Sequence, residues 1–187
     1  MPTTSVLKRL FTVEEYHRIF HSGVFADSER VELIRGKIIK MSPIGRRHAA
    51  CVIRSADVLT RKLGDQVLLS SQNPLALDNT SEPEPDLMLL KRKADCYESG
   101  HPKPEDVFLL IEVADSTVDR DRELKISLYA EDGITEVWLV DINKACIEVY
   151  RYPTTLGYTS SQRFYCGQNL SILAFPDVSI TVDEILG

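Results

Sequence analysis

Short apolar runs separated by polar turns dominate the chain, and one is bent back on itself. Val31-Glu32-Leu33-Ile34 and Lys37-Ile38-Ile39-Lys40-Met41 read as two strands around Arg35-Gly36, where the glycine permits the positive φ of a tight hairpin turn. Upstream, Thr12 with Glu15 three positions on forms a capping box, so a helix is predicted from Val13 to His21 or Gly23, with Phe11 stapled onto Tyr16. Over 48–63 the apolar positions Cys51, Val52, Val58, Leu59 and Leu63 follow a helical period, and Gly64 closes it.

Strands are predicted at 66–70 and 72–77, then a polar, proline-bearing connection leads to Asp86 and the run Leu87-Met88-Leu89-Leu90. Residues 91–106, with Gly100, Pro102 and Pro104, read as a surface excursion. A long apolar strand follows at 107–114, a helix at 119–132 closed by Gly133, and strands at 135–141 and 146–152. Strand, helix, strand in that order predicts parallel neighbours. Peripheral strands are predicted at 158–165 and 170–173, and a last helical turn at 182–186.

With 187 residues and 43% hydrophobic content the chain suits one soluble domain. It shows no apolar stretch of membrane-spanning length and no apolar signal core at its N-terminus, so a cytoplasmic protein without membrane contact is expected. Cys51, Cys96, Cys146 and Cys166 lack metal-ligand spacing and read as reduced thiols, chiefly apolar fillers. The net charge of −6 is unevenly spread: between Arg30 and Lys62 nine basic residues face two acids, which leaves the rest at −13. That segment is either a face for a phosphate backbone or solvated surface.

Two strands carry a carboxylate where a sheet interior normally has none: Asp86 at the start of one, Glu112 inside Leu109-Leu110-Ile111-Glu112-Val113. Such a charge is costly unless paired or bound to metal. Asp86 alone also reads as a turn-ending residue after Pro85, and Glu112 as a sheet end facing water. If the two strands are antiparallel neighbours, however, both acids converge on one edge. Hard oxygens of this kind, with the Val113 carbonyl beside them, suit Mg²⁺ or Mn²⁺. Lys125 follows on a predicted helix, with Tyr129 on the same face, and completes the acid, acid and base set of metal-assisted phosphodiester hydrolysis. Glu32 is a third strand carboxylate, with water-mediated ligation, a second ion or simple solvation all open to it. His48, beside Arg46 and Arg47, suits a phosphate contact or proton shuttle. Dinucleotide, P-loop and serine-hydrolase signatures are absent.

At these residues the chain resembles the PD-(D/E)XK, restriction-endonuclease-like superfamily, and within it the Uma-two type endonuclease branch. The matching segments run from Glu32 to Pro43 with His48, then Glu84-Pro85-Asp86-Leu87, Ile111-Glu112-Val113, Lys125-Ile126-Ser127-Leu128-Tyr129, and Gly133 to Asp141. The resemblance implies an α/β fold in which a central mixed sheet is flanked by helices, with an N-terminal helix and hairpin. It implies one domain over 1–187, with 1–10 as a flexible segment. It makes Asp86 and Glu112 metal ligands, Lys125 the catalytic lysine and Glu32 an accessory acid. One departure stands out: the superfamily's compact pattern puts lysine two residues after the second acid, where this chain has Ala114, and the branch it resembles moves that lysine to the following helix. The expected activity is Mg²⁺- or Mn²⁺-dependent hydrolysis of DNA by a metal-activated water. The alternative is a nuclease-fold nucleic-acid-binding or regulatory protein without useful turnover; a homodimer is compatible with either.

Overall fold

The computed structural model describes residues 8–26, 29–115 and 119–187, so most of the expected flexible segment lies outside the described residues. The chain divides into two compact units, one formed by Met1–Pro43 with Ala76–Pro83, the other by Ile44–Leu75 with Glu84–Gly187.

The first unit is built from helix α1 (Val13–His21) and the antiparallel hairpin of β1 (Val31–Ile34) and β2 (Lys37–Lys40). The Thr12–Glu15 capping box forms in both directions, satisfying backbone donors that the first helical turn leaves open. Tyr16, Val31 and Leu33 form its core, with Phe11 packed against them. At the hairpin turn both Arg35 and Gly36 have positive φ. A Cβ at Gly36 would lie 2.6 Å from that of Leu10, so glycine is required by space as well as by backbone. His17 Nε2 meets the buried Glu82 carboxylate at 2.6 Å.

The second unit holds a six-stranded sheet in the order β3 (Leu68–Ser71), β4 (Leu87–Leu90), β5 (Val107–Ala114), β6 (Glu136–Asp141), β7 (Cys146–Thr154), β8 (Gly157–Tyr165). All neighbours are antiparallel except β5 and β6, which are parallel and joined through α3 (Asp119–Glu131), as the strand, helix, strand order predicts. Gly133 follows α3 with φ of 81°, the left-handed cap expected there. Helix α2 (Arg46–Leu63) packs Cys51, Val52, Val58, Leu59 and Leu63 onto alternate residues of β4 and β5, among them Leu87, Leu89, Ile111 and Val113. It begins two residues before the predicted start, because Gly45 serves as N-cap and the polar Arg46 and Arg47 belong to its first turn.

Two expectations fail. Residues 72–77 form no strand: Gln72 takes φ of 51° and turns its amide onto the carbonyls of Pro85 and Asp86, which ends β3 at Ser71. Beyond the six-stranded sheet, β9 (Asn169–Ile172) pairs with an unpredicted β10 (Phe175–Thr181) in a separate two-stranded sheet. Helix α4 (Val182–Leu186) then packs Val182 and Ile185 into the core against α2. Glu136, fully buried, joins these parts: it accepts from Trp138 Nε1, from the Arg151 guanidinium and from the Leu173 amide at 2.6 Å.

Candidate active site

Register brings the two strand carboxylates together. Leu87 pairs with Ile111, so Asp86 and Glu112 are the next residues outward at the shared end of β4 and β5. The Val113 amide donates to Asp86 Oδ2 at 2.8 Å, and Gln72 Nε2 donates to Oδ1 at 3.3 Å. Ser71 Oγ donates to the Asp86 carbonyl at 3.2 Å. The turn at Gln72 is therefore part of what aims this carboxylate; its sequence position gave no sign of that.

Side-chain alternation sets the direction of Glu112. Ile111 and Val113 point into the core under α2, so Glu112 projects from the opposite face, where α3 lies. There Glu112 Oε1 accepts from Tyr129 Oη at 2.6 Å and from Lys125 Nζ at 3.3 Å. Lys125 and Tyr129 are one helical turn apart, so both reach a single oxygen. Tyr129 is fully buried, and Lys125 is largely so. The lysine predicted on the helix thus stands at the acid predicted on the strand. The tyrosine was visible in the sequence as its i+4 companion, but not as a contact to Glu112.

His48 sits in the first turn of α2 with Nε2 3.0 Å from Asp86 Oδ2. The Asp86 hydrogen bond raises the imidazole pKa above its ordinary value; burial opposes this, and the charges of Asp86, Glu112 and Asp115 add to it. Three carboxylates of one sheet edge thus act on one ring. Its Nδ1 is buried without a hydrogen-bond partner among the described residues. Arg47 spans from Asp115 Oδ1, 3.3 Å away, to Asn143 Oδ1 at 3.1 Å, while Arg46 is exposed. Glu32 is buried on β1 and belongs to the first unit.

The donor set fits a hard divalent cation better than a soft one. Asp86 and Glu112 supply carboxylate oxygens, no cysteine belongs to the set, and among the described residues no group of three or more His, Cys, Asp and Glu could hold a metal by itself. Two carboxylates with a backbone carbonyl leave coordination positions to water and phosphate, the habit of Mg²⁺ and Mn²⁺. The basic segment resolves differently from a continuous face. Arg61 pairs with Asp57, Lys62 with Glu184, Lys40 with Glu29, and Arg54 bonds the carbonyls of Ile185 and Leu186. Among the described residues no helix is long and apolar enough to cross a membrane.

No curated protein matches the chain. A solved structure described as "a putative nuclease belonging to DUF820 from Anabaena variabilis ATCC 29413" is similar to it with a TM-score of 0.72 at 16% identity, over 94% of this chain and 97% of that one. At such identity the likeness speaks for the fold, a restriction-endonuclease-like core. The pattern of the Uma2 family, described as "Putative restriction endonuclease", matches residues 13–183, from the first residue of α1 into α4 and through every residue of the sheet edge just described. The chain therefore belongs to the Uma2 family.

Proposed function

We propose that the protein is a Mg²⁺- or Mn²⁺-dependent nuclease that hydrolyses DNA phosphodiester bonds at the shared end of β4 and β5. Family membership supports a nuclease, and the observation that carries the reading is Lys125 meeting Glu112 beside Asp86. Asp86, Glu112 and the Val113 carbonyl would hold the ion. When bound, such an ion supplies Lewis acidity toward phosphoryl oxygens and lowers the pKa of water. Lys125 orients the attacking water and offsets charge that develops on phosphorus oxygens, and Tyr129 fixes the Glu112 carboxylate against rotation. His48 steadies Asp86 through Nε2. Arg46 and Arg47 take the phosphate backbone. The four free cysteines, two of them buried, suit work in a reducing compartment such as the cytoplasm.

The test is cleavage of plasmid, single-stranded DNA and RNA with Mg²⁺ or Mn²⁺, with Glu112→Ala protein prepared in parallel to expose contaminating nuclease. DNA cleavage that requires the ion and disappears in the variant is expected. Equal cleavage by both proteins, or none by either, overturns the reading.

A further inference from the structure

Helix α2 has two working faces. His48 lies on the inward arc with Cys51, Val52, Ser55 and Leu59, and serves the sheet edge. Positions 46, 47, 50 and 54 occupy a different arc, about 100° wide at 3.6 residues per turn. They line a cleft of about 390 Å³ whose other walls come from Ile142 on the β6–β7 turn, Cys166 after β8, and Leu186 at the end of α4. Arg54 is spent on the carbonyls of Ile185 and Leu186 and so fixes one wall. Arg46 and Arg47 provide guanidinium groups at the cleft, while Ala50, Ile142 and Leu186 are apolar. Arg46 is exposed and, among the described residues, makes no ion pair or hydrogen bond. Arg47 uses part of its donor fork on Asp115 and Asn143, which ties the cleft to the strand that carries Glu112.

A cleft that sets guanidinium groups beside aliphatic carbon matches one nucleotide of a polymer: its phosphate on the guanidinium groups, its sugar over Ala50 and Ile142. A free inorganic anion would leave the apolar walls unused. The volume is also in the range of small-ligand sites, about 300–1,000 Å³. We infer that this cleft is a second nucleic-acid subsite, which holds the backbone of a nucleotide flanking the scissile phosphate. The inference rests on the nuclease reading above and extends it by a position outside the candidate active site.

Cys166 reports on it. Of the four cysteines, Cys51 and Cys146 are buried and burial raises both thiol pKa values, whereas Cys96 and Cys166 are exposed. In Cys96→Ser protein, Cys166 is then the one exposed thiol. Its alkylation by a small maleimide is timed with and without a fluorescent DNA duplex, in buffer free of divalent ions, while anisotropy reports occupancy. Saturating DNA is expected to slow alkylation by about fivefold or more, as a covered thiol should. Ala50→Glu, which puts a carboxylate into the cleft, is expected to weaken DNA binding by about tenfold and leave Mn²⁺ affinity at Asp86 and Glu112 unchanged. Bound DNA with Cys166 alkylated at the free rate, or Ala50→Glu protein binding DNA as tightly as its parent, overturns the subsite and leaves the nuclease reading standing. No anisotropy change at any concentration overturns the subsite, and the cleavage assay with Mg²⁺ or Mn²⁺ decides the nuclease reading separately.

Discussion

The Lys125 ammonium lies 3.3 Å from Glu112 Oε1, although one residue comes from helix α3 and the other from strand β5. Neither side chain has much water around it, so the lysine is positioned by the packing of α3 and not by chance at the surface. Lys125→Ala is expected to keep Mn²⁺ binding and lose hydrolysis on the order of 100-fold, the usual cost of deleting one electrostatic stabiliser. Tyr129→Phe removes only a hydroxyl from the same oxygen and should cost about tenfold, the scale of a single hydrogen bond to a charged group. Single-turnover rates with calorimetric metal affinities separate the two roles. An unchanged rate in Lys125→Ala protein would detach the helix ammonium from the reaction.

Metal affinity is the next expectation. Asp86→Asn and Glu112→Gln each keep the side-chain shape but remove a charge that a hard cation needs, so calorimetry should show Mn²⁺ binding lost in both. Zn²⁺ should not be structural, so a chelator should leave the parent protein folded. Retained Mn²⁺ affinity in both variants would move the ion elsewhere.

How much of this geometry was legible beforehand varies with the local physics. The parallel pairing of β5 with β6 was legible because strand, helix, strand has one common solution, whereas the antiparallel pairing of β4 with β5 was one option for two apolar runs. The pairing in turn placed Asp86 beside Glu112. Gln72 was not legible: nothing in Ser71-Gln72-Asn73 announces a positive φ at glutamine, yet that turn delivers a donor to Asp86. Strand β10 was hidden by Pro176-Asp177, residues that argue against a strand, and its pairing shifts register between Phe175 and Ser179. The basic segment stayed open for a different reason, since a count of charges does not reveal that Arg54, Arg61 and Lys62 already have partners within the chain.

The salt dependence of DNA binding follows from that distinction. Substituting Arg46 and Arg47 together by alanine should reduce the slope of log affinity against log salt by about two phosphate contacts' worth, with sequence preference unaltered. Arg61→Ala, whose partner is Asp57 on the same helix, should leave the slope unchanged. Equal slopes for parent and double variant would put both guanidinium groups outside the interface.

Acid sensitivity has a definite sign at Glu184. Its carboxyl is held below the ordinary value, first by Lys62 and then by the Thr181 amide, the N-cap of α4. A carboxylate depressed on folding contributes stability above its unfolded pKa of about 4.5 and loses it as the pH falls through the folded value. Glu184→Gln should therefore lower the melting temperature at pH 7, and the difference from the parent should shrink steadily below about pH 4.5. A difference that stays constant down to acid would mean that the carboxylate charge is not what anchors α4.

Ala114 allows the strongest test of where the base may stand. It lies two residues after Glu112 on β5, so strand alternation puts its Cβ on the same face as the Glu112 side chain, toward α3. A lysine there would approach the carboxylate along the strand, as the compact superfamily pattern does, instead of from the helix. Ala114 is only half buried, so the longer side chain has an outlet for its stem. In Lys125→Ala protein, Ala114→Lys should recover part of the lost rate, about tenfold if the ammonium reaches the same oxygen at looser geometry. Ala114→Met fills the same volume without charge and should recover none. Rescue by methionine as well would show that α3 packing was what Lys125→Ala had damaged. Lysine-specific rescue would show that the site needs one ammonium beside Glu112 and that its element of origin is interchangeable.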